Sequence, residues 1–127
     1  MSLREYLRGI YDLLAVSPQV ASVSLSFDER FEKAAYLLGR ITLVDGSLLH
    51  VKEFLVADPE VRKVKYAYHW VTTDGVLIFR YDNAADPAAR HLASFPHHKH
   101  APEGLTESEE PTLGTVLREI GHLLSPS

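Results

Sequence analysis

The amino-acid sequence predicts an α+β fold. It reads as a single domain over residues 1–127, with an antiparallel meander sheet of about five strands and a helix at each terminus. Three observations predict this. Apolar residues recur at helical spacing at both ends of the chain, at Leu3, Leu7, Ile10 and Leu14 and again at Leu113, Val116, Leu117, Ile120 and Leu123. Between those ends the apolar period is two. The connections between the alternating segments are short and rich in turn residues, which pairs sequence neighbours antiparallel.

Ser2-Leu3-Arg4-Glu5 has the form of a capping box and starts a helix over about 3–16, which Ser17-Pro18 ends. From Val20, Val23, Leu25 and Phe27 alternate with Ser22, Ser24 and Ser26, the pattern of a half-buried strand. Asp28 to Lys33 reads as a charged connection. Leu37, Gly39, Ile41 and Leu43 alternate with Leu38, Arg40 and Thr42, and Asp45-Gly46 is a strong hairpin signal. The returning strand is Leu48 to Val56, closed by Asp58-Pro59. Lys63 to Thr72 is a fourth strand, with Tyr66, Tyr68 and Trp70 on one face and Lys65, Ala67 and His69 on the other. Thr73-Asp74-Gly75 turns into a fifth, Val76 to Asp82. Asn83 to Gly104 shows no sustained period and reads as a loop. The acidic Thr106–Glu110 suits a helix start, with Pro111 in the first turn and the helix running to about 124.

A 127-residue chain buries about two-thirds of its unfolded surface on folding, so it needs no staple. With no cysteine, disulfide scaffolds, zinc ribbons, iron–sulfur clusters and thiol nucleophiles are excluded. No apolar run approaches the ~18 residues that span a bilayer, and the N-terminus lacks a signal pattern. The expectation is a cytoplasmic protein without a membrane partner. The net charge is −4, so there is no strongly basic coat. The charge is uneven. Residues 1–60 carry 6 basic and 9 acidic side chains, residues 101–127 carry 1 and 5, and residues 61–100 carry 6 and 3 plus five of the seven histidines. That middle stretch is the one that welcomes an anion.

The densest group of chemically able side chains is Phe95-Pro96-His97-His98-Lys99-His100. Imidazole titrates near neutral pH and is a common metal ligand. Three readings stay open: acid–base or phosphate chemistry, a metal site in which a helical turn brings His97 and His100 together at i, i+3, and a solvated polar loop. A second group lies on the fourth and fifth strands. If their faces coincide, Lys65, His69, Arg80 and Asp82 make one polar patch, with Tyr66, Tyr68, Trp70, Phe79 and Tyr81 on the opposite face. Those aromatics pack a core or stack on unpaired bases. Arg80 and Asp82 form an ion pair or contact a phosphate. Glu53 falls among Leu49, Val51 and Leu55 on the buried face and requires a partner. A salt bridge to Arg40 across the hairpin is the structural reading, and a catalytic carboxylate is the chemical one. There is no Gly-rich phosphate loop, no G-x-S-x-G and no H-E-x-x-H.

Taken in order, Leu49-His50-Val51-Lys52-Glu53, Tyr66-Ala67-Tyr68-His69-Trp70, Arg80-Tyr81-Asp82-Asn83, Phe95 to His100 and Glu109-Glu110-Pro111 resemble the TumE family of small toxins from prokaryotic type II toxin–antitoxin modules. The resemblance implies a helix-turn-helix antitoxin as partner and a target in RNA or translation. It marks Tyr68, His69, Arg80, Asp82, Asn83, His97, His98, Lys99 and His100 as site residues. Relatives often continue after Asp-Asn-Ala with a proline and a histidine pair. Here the stretch is Ala84-Ala85-Asp86-Pro87 and the next histidine is His91, so a metal site built on that pair is incomplete.

The expectation that follows is a growth-inhibiting toxin and candidate metal-independent endoribonuclease, with no metal and no cofactor. His97, His98, His100 and His69 are its candidate acids and bases. Arg80, Lys99, Tyr68, Asp82 and Asn83 are its candidate substrate contacts. The alternative is a non-catalytic module that blocks a nucleic-acid or protein target by occupancy. A homodimer is compatible with either.

Overall fold

The computed structural model describes residues 1–31 and 33–124. Helix α1 (Leu3–Ala15) leads into strands β1 (Val20–Arg30), β2 (Ala34–Leu43), β3 (Leu48–Ala57), β4 (Val61–Val71) and β5 (Leu77–Asp82). A single 3₁₀ turn (Pro87–Ala89) precedes β6 (His98–Ala101) and β7 (Gly104–Glu107), and α2 (Leu113–Leu124) closes the described chain. All seven strands form one antiparallel sheet whose spatial order is the sequence order.

The capping box forms as expected: Ser2 Oγ accepts from the Glu5 amide at 3.0 Å, and Glu5 Oε1 accepts from the Ser2 amide at 3.1 Å. Gly46 and Gly75 turn the two short hairpins with φ of +87° and +85°, a region costly to residues with a Cβ. Both helices lie on one face of the sheet. Ile10, Leu14, Leu113, Val116, Leu117 and Ile120 pack there on Leu37, Ile41, Leu49, Val51, Tyr68, Trp70 and Phe79. The core-side placement of Tyr66, Tyr68, Trp70 and Phe79 follows the alternation in the sequence. Trp70 donates its indole N–H to Ser47 Oγ at 2.8 Å, which satisfies a buried donor.

The structure departs from the sequence reading in three places. The sheet has seven strands, because β6 and β7 come out of the segment read as loop. Each is four residues long, and His98-Lys99-His100-Ala101 alternates in polarity too briefly to register as a hydrophobic period. Strand β1 runs on through Asp28–Arg30, so the connection there is shorter than expected. The acidic stretch does not start a helix: Glu107 ends β7, and α2 begins at Leu113. Thr112 Oγ1 accepts from the Thr115 amide at 3.1 Å, the arrangement of an N-cap.

Candidate functional site

The helices leave the opposite face of the sheet uncovered over much of its width, and the strand register arranges that face in lateral rows. One row runs Ser24, Arg40, His50, His69, Arg80, His100 across six consecutive strands. The next runs Leu38, Lys52, Ala67, Asp82, His98. The polar faces of β4 and β5 therefore coincide. β6 then adds its two histidines beside Arg80 and Asp82.

Asp82 is the hub. It is 3% exposed. Its Oδ2 accepts from Arg80 Nε at 2.9 Å and lies 3.6 Å from His100 Nε2. Its Oδ1 accepts from the Ala84 amide at 2.9 Å and lies 3.1 Å from His98 Nε2. His98 is 1% exposed, and its Nδ1 lies 2.7 Å from the Pro96 carbonyl. Both ring nitrogens of His98 thus face oxygens. Both donate at once only when the ring carries two protons.

His98 and His100 stand edge-to-face with ring centroids 4.7 Å apart, and His50 and His69 stand 6.3 Å apart. Burial pushes the His69 imidazole below the usual range, and the neighbouring Arg80 and His50 reinforce this. His100 is also shifted down, first by burial and then by His98, against an opposing pull from Asp82. A cavity of about 460 Å³ opens over these groups, lined by His69, Arg80, Asp82, Asp86, His98 and His100. A second cavity of about 590 Å³ adjoins it, sharing Arg80, Asp82 and Ala84 and bordered by Tyr36, Phe54, Lys52 and Lys65. The Tyr36 and Phe54 rings are stacked at 4.6 Å.

His69, Arg80, Asp82, His98 and His100, all anticipated from the sequence, converge here. Four other anticipated residues do not. His97 points to the helix-covered side, where its ring stacks on Tyr66 and its Nδ1 lies 2.8 Å from the Tyr66 hydroxyl. Lys99 alternates to that same side and pairs with Glu119 on α2 at 2.8 Å. Tyr68 is fully buried. Asn83 is occupied in tying the chain to β4: its Oδ1 accepts from the Tyr66 amide and its Nδ2 donates to the Val64 carbonyl, both at 3.0 Å. The i, i+3 pairing of His97 with His100 also fails, because the segment is a strand and brings i, i+2 residues to one face. Arg40, His50 and Lys52 belong to the open face and were missed as site residues. Their signal was present in the alternation around the Asp45-Gly46 hairpin.

Glu53 is buried as predicted, at 2% exposure, but its partner is not Arg40, which lies on the other face. The carboxylate accepts from the hydroxyls of Tyr6, at 2.5 Å, and Tyr68. Lys63 donates to the Tyr68 hydroxyl at 2.7 Å and to the Pro111 carbonyl. The lysine reaches this side because β4 is irregular beside it: Phe54 pairs with Lys65 but Leu55 pairs with Lys63, so Val64 is an extra residue. Burial pushes Tyr6, Tyr66 and Tyr68 upward and Lys63 downward. Among the described residues no buried side-chain nitrogen or oxygen lacks a partner. This network ties α1, β3, β4 and the start of α2 together.

Among the described residues no helix is long and apolar enough to cross a membrane. No curated protein and no solved structure matches the chain. A family model does: the one described as Toxin TumE matches residues 10–124, nearly the whole chain, and on that match the protein belongs to the TumE toxin family.

Proposed function

We propose that this toxin arrests growth by cleaving RNA on the open face of its sheet, without a metal ion in the chemical step. Family membership implies an antitoxin partner, and we take this partner to be the helix-turn-helix protein of a type II module. The observation that carries the nuclease reading is the placement of Arg80 between His69 and His100 in one lateral row. Phosphodiester transfer within RNA needs a base for the ribose 2′-hydroxyl, an acid for the leaving 5′-oxygen and a cation on the phosphate between them.

His69 is the base in this reading, since burial and Arg80 favour its neutral form. It accepts the 2′-hydroxyl proton as that oxygen bonds to phosphorus. His100 is the acid: entering the step protonated, with the Asp82 carboxylate opposing its downward shift, it donates a proton to the 5′-oxygen as the phosphorus–oxygen bond breaks. Arg80 holds the phosphate, and Asp82 and His98 hold Arg80 and His100 in place. Lys52 and Lys65 offer further phosphate contacts, and the Tyr36–Phe54 stack offers a base platform. His97, Lys99, Tyr68 and Asn83 support the scaffold.

The test is induction of the protein alone in a bacterial host, with the 5′ ends of total RNA mapped within minutes. The His69→Ala, His100→Ala double variant runs in parallel, its fold checked by circular dichroism. New discrete ends that vanish in the variant are expected. Growth arrest with intact RNA overturns the nuclease and favours a toxin that blocks its target by occupancy.

A further inference from the structure

We propose that Asp82, His98 and His100 form a binding site for a divalent transition-metal ion such as zinc. Three ligand atoms, one from each side chain, lie within 4.8 Å of one another. A tetrahedral ion with bonds of about 2.1 Å holds its ligand atoms about 3.4 Å apart. Here His98 Nε2 lies 3.1 Å from Asp82 Oδ1 and His100 Nε2 lies 3.6 Å from Asp82 Oδ2, each near that spacing. The strand geometry produces this convergence directly. His98 and His100 are i, i+2 neighbours on one face of β6, and Asp82 is the ladder partner of His98 on β5.

The surrounding hydrogen bonds are those of a ligand shell. The Pro96 carbonyl faces His98 Nδ1 and fixes the tautomer that leaves a lone pair on Nε2. That lone pair faces a carboxylate oxygen, a repulsive contact unless a proton or a cation lies between them. Asp82 is itself oriented by the Ala84 amide and Arg80 Nε. Two imidazoles and one carboxylate select zinc and its transition-metal neighbours over magnesium or calcium. The open cavity above leaves room for a water in the fourth position.

The site does not depend on the RNA reading, but it bears on it. The lone pair of His100 Nε2 takes a proton or a metal ion, never both. A chain with the ion bound therefore lacks the acid assigned above.

Calorimetric titration of the chelator-treated full chain with zinc chloride tests the proposal. One zinc per chain is expected, with binding weakened at least tenfold in His100→Gln and unchanged in His122→Gln, which replaces a histidine exposed in the last turn of α2. Because His100 is partly exposed, its replacement leaves the core intact. Histidine side-chain ¹⁵N spectra supply the second readout, with the Nε2 signals of His98 and His100 moving as zinc is added. No stoichiometric binding by the folded chain overturns the proposal, as does binding that His100→Gln leaves unchanged. Zinc binding by a chain that, freed of metal, leaves RNA intact keeps this site and removes the nuclease. Metal-free cleavage by a chain that binds no zinc does the reverse.

Discussion

His69 faces Arg80 directly across the β4–β5 ladder, and the guanidinium joins burial in disfavouring the charged imidazole. The His69 and His100 rings therefore titrate below the ordinary histidine value of about 6.5. The folded chain binds these two protons less readily than the unfolded chain. Their contribution to stability is flat above about pH 6.5 and becomes a loss as pH falls through the folded-state midpoints. Proton NMR titration reads the midpoints, and Arg80→Gln is expected to raise that of His69. A His69 midpoint unchanged in Arg80→Gln contradicts the electrostatic coupling.

Tyr68→Phe removes one of the two hydroxyls on the buried Glu53 carboxylate and a partner of Lys63. Buried Glu53 and half-buried Lys63 each lose a hydrogen bond, at a cost of roughly 1–3 kcal/mol. Urea unfolding measures it. A loss under a few tenths of a kcal/mol indicates that water replaces the hydroxyl.

The phenols of Tyr6, Tyr66, Tyr68 and Tyr81 are all shifted up, in each case chiefly by burial. Their ionisation is disfavoured in the folded state, so their contribution to stability is fully present below about pH 10 and is lost as pH rises from there through the folded-state midpoints. Ultraviolet titration of the native chain should leave Tyr6, Tyr66 and Tyr68 un-ionised at pH 10. Full phenolate absorbance from a folded chain at that pH contradicts the network.

Lys99 lies in the histidine cluster by sequence but bonds Glu119 beneath α2. Lys99→Ala is expected to cost about 1 kcal/mol or less, as for other partly exposed pairs, and to leave growth arrest intact. Loss of arrest in a stably folded Lys99→Ala places the chemistry elsewhere.

Gly39 sits where a Cβ meets Leu25 Cδ2 at 2.9 Å and Val51 Cβ at 3.3 Å. Gly39→Val forces β1 and β3 to give way, with a destabilisation of roughly 1–3 kcal/mol. Thermal unfolding checks the sign. An unchanged midpoint shows that Leu25 moves freely aside.

The helices and the first five strands were legible because their apolar period is long and unbroken. The strand phase alone put His69, Arg80 and Asp82 on one face. β6 was not legible, since four residues with two histidines and a lysine carry no apolar signal. Its omission hid which histidines share a face: alternation sends His98 and His100 to Asp82 and sends His97 and Lys99 to the helices. The partners of Glu53 were hidden for a different reason. One extra residue at Val64 reverses the side on which Lys63 emerges, and no periodicity reports it.

The sheet is built in the order in which the chain is made. Every ladder joins sequence neighbours, so loop-closure costs are small and strands add one after another as they emerge. The histidine row follows the same schedule. Arg40, His50, His69 and Arg80 are in register once β5 docks, but Asp82 gains His98 and His100 only when β6 arrives, after about four-fifths of the chain is made. A chain ending before β6 lacks both histidine partners of Asp82.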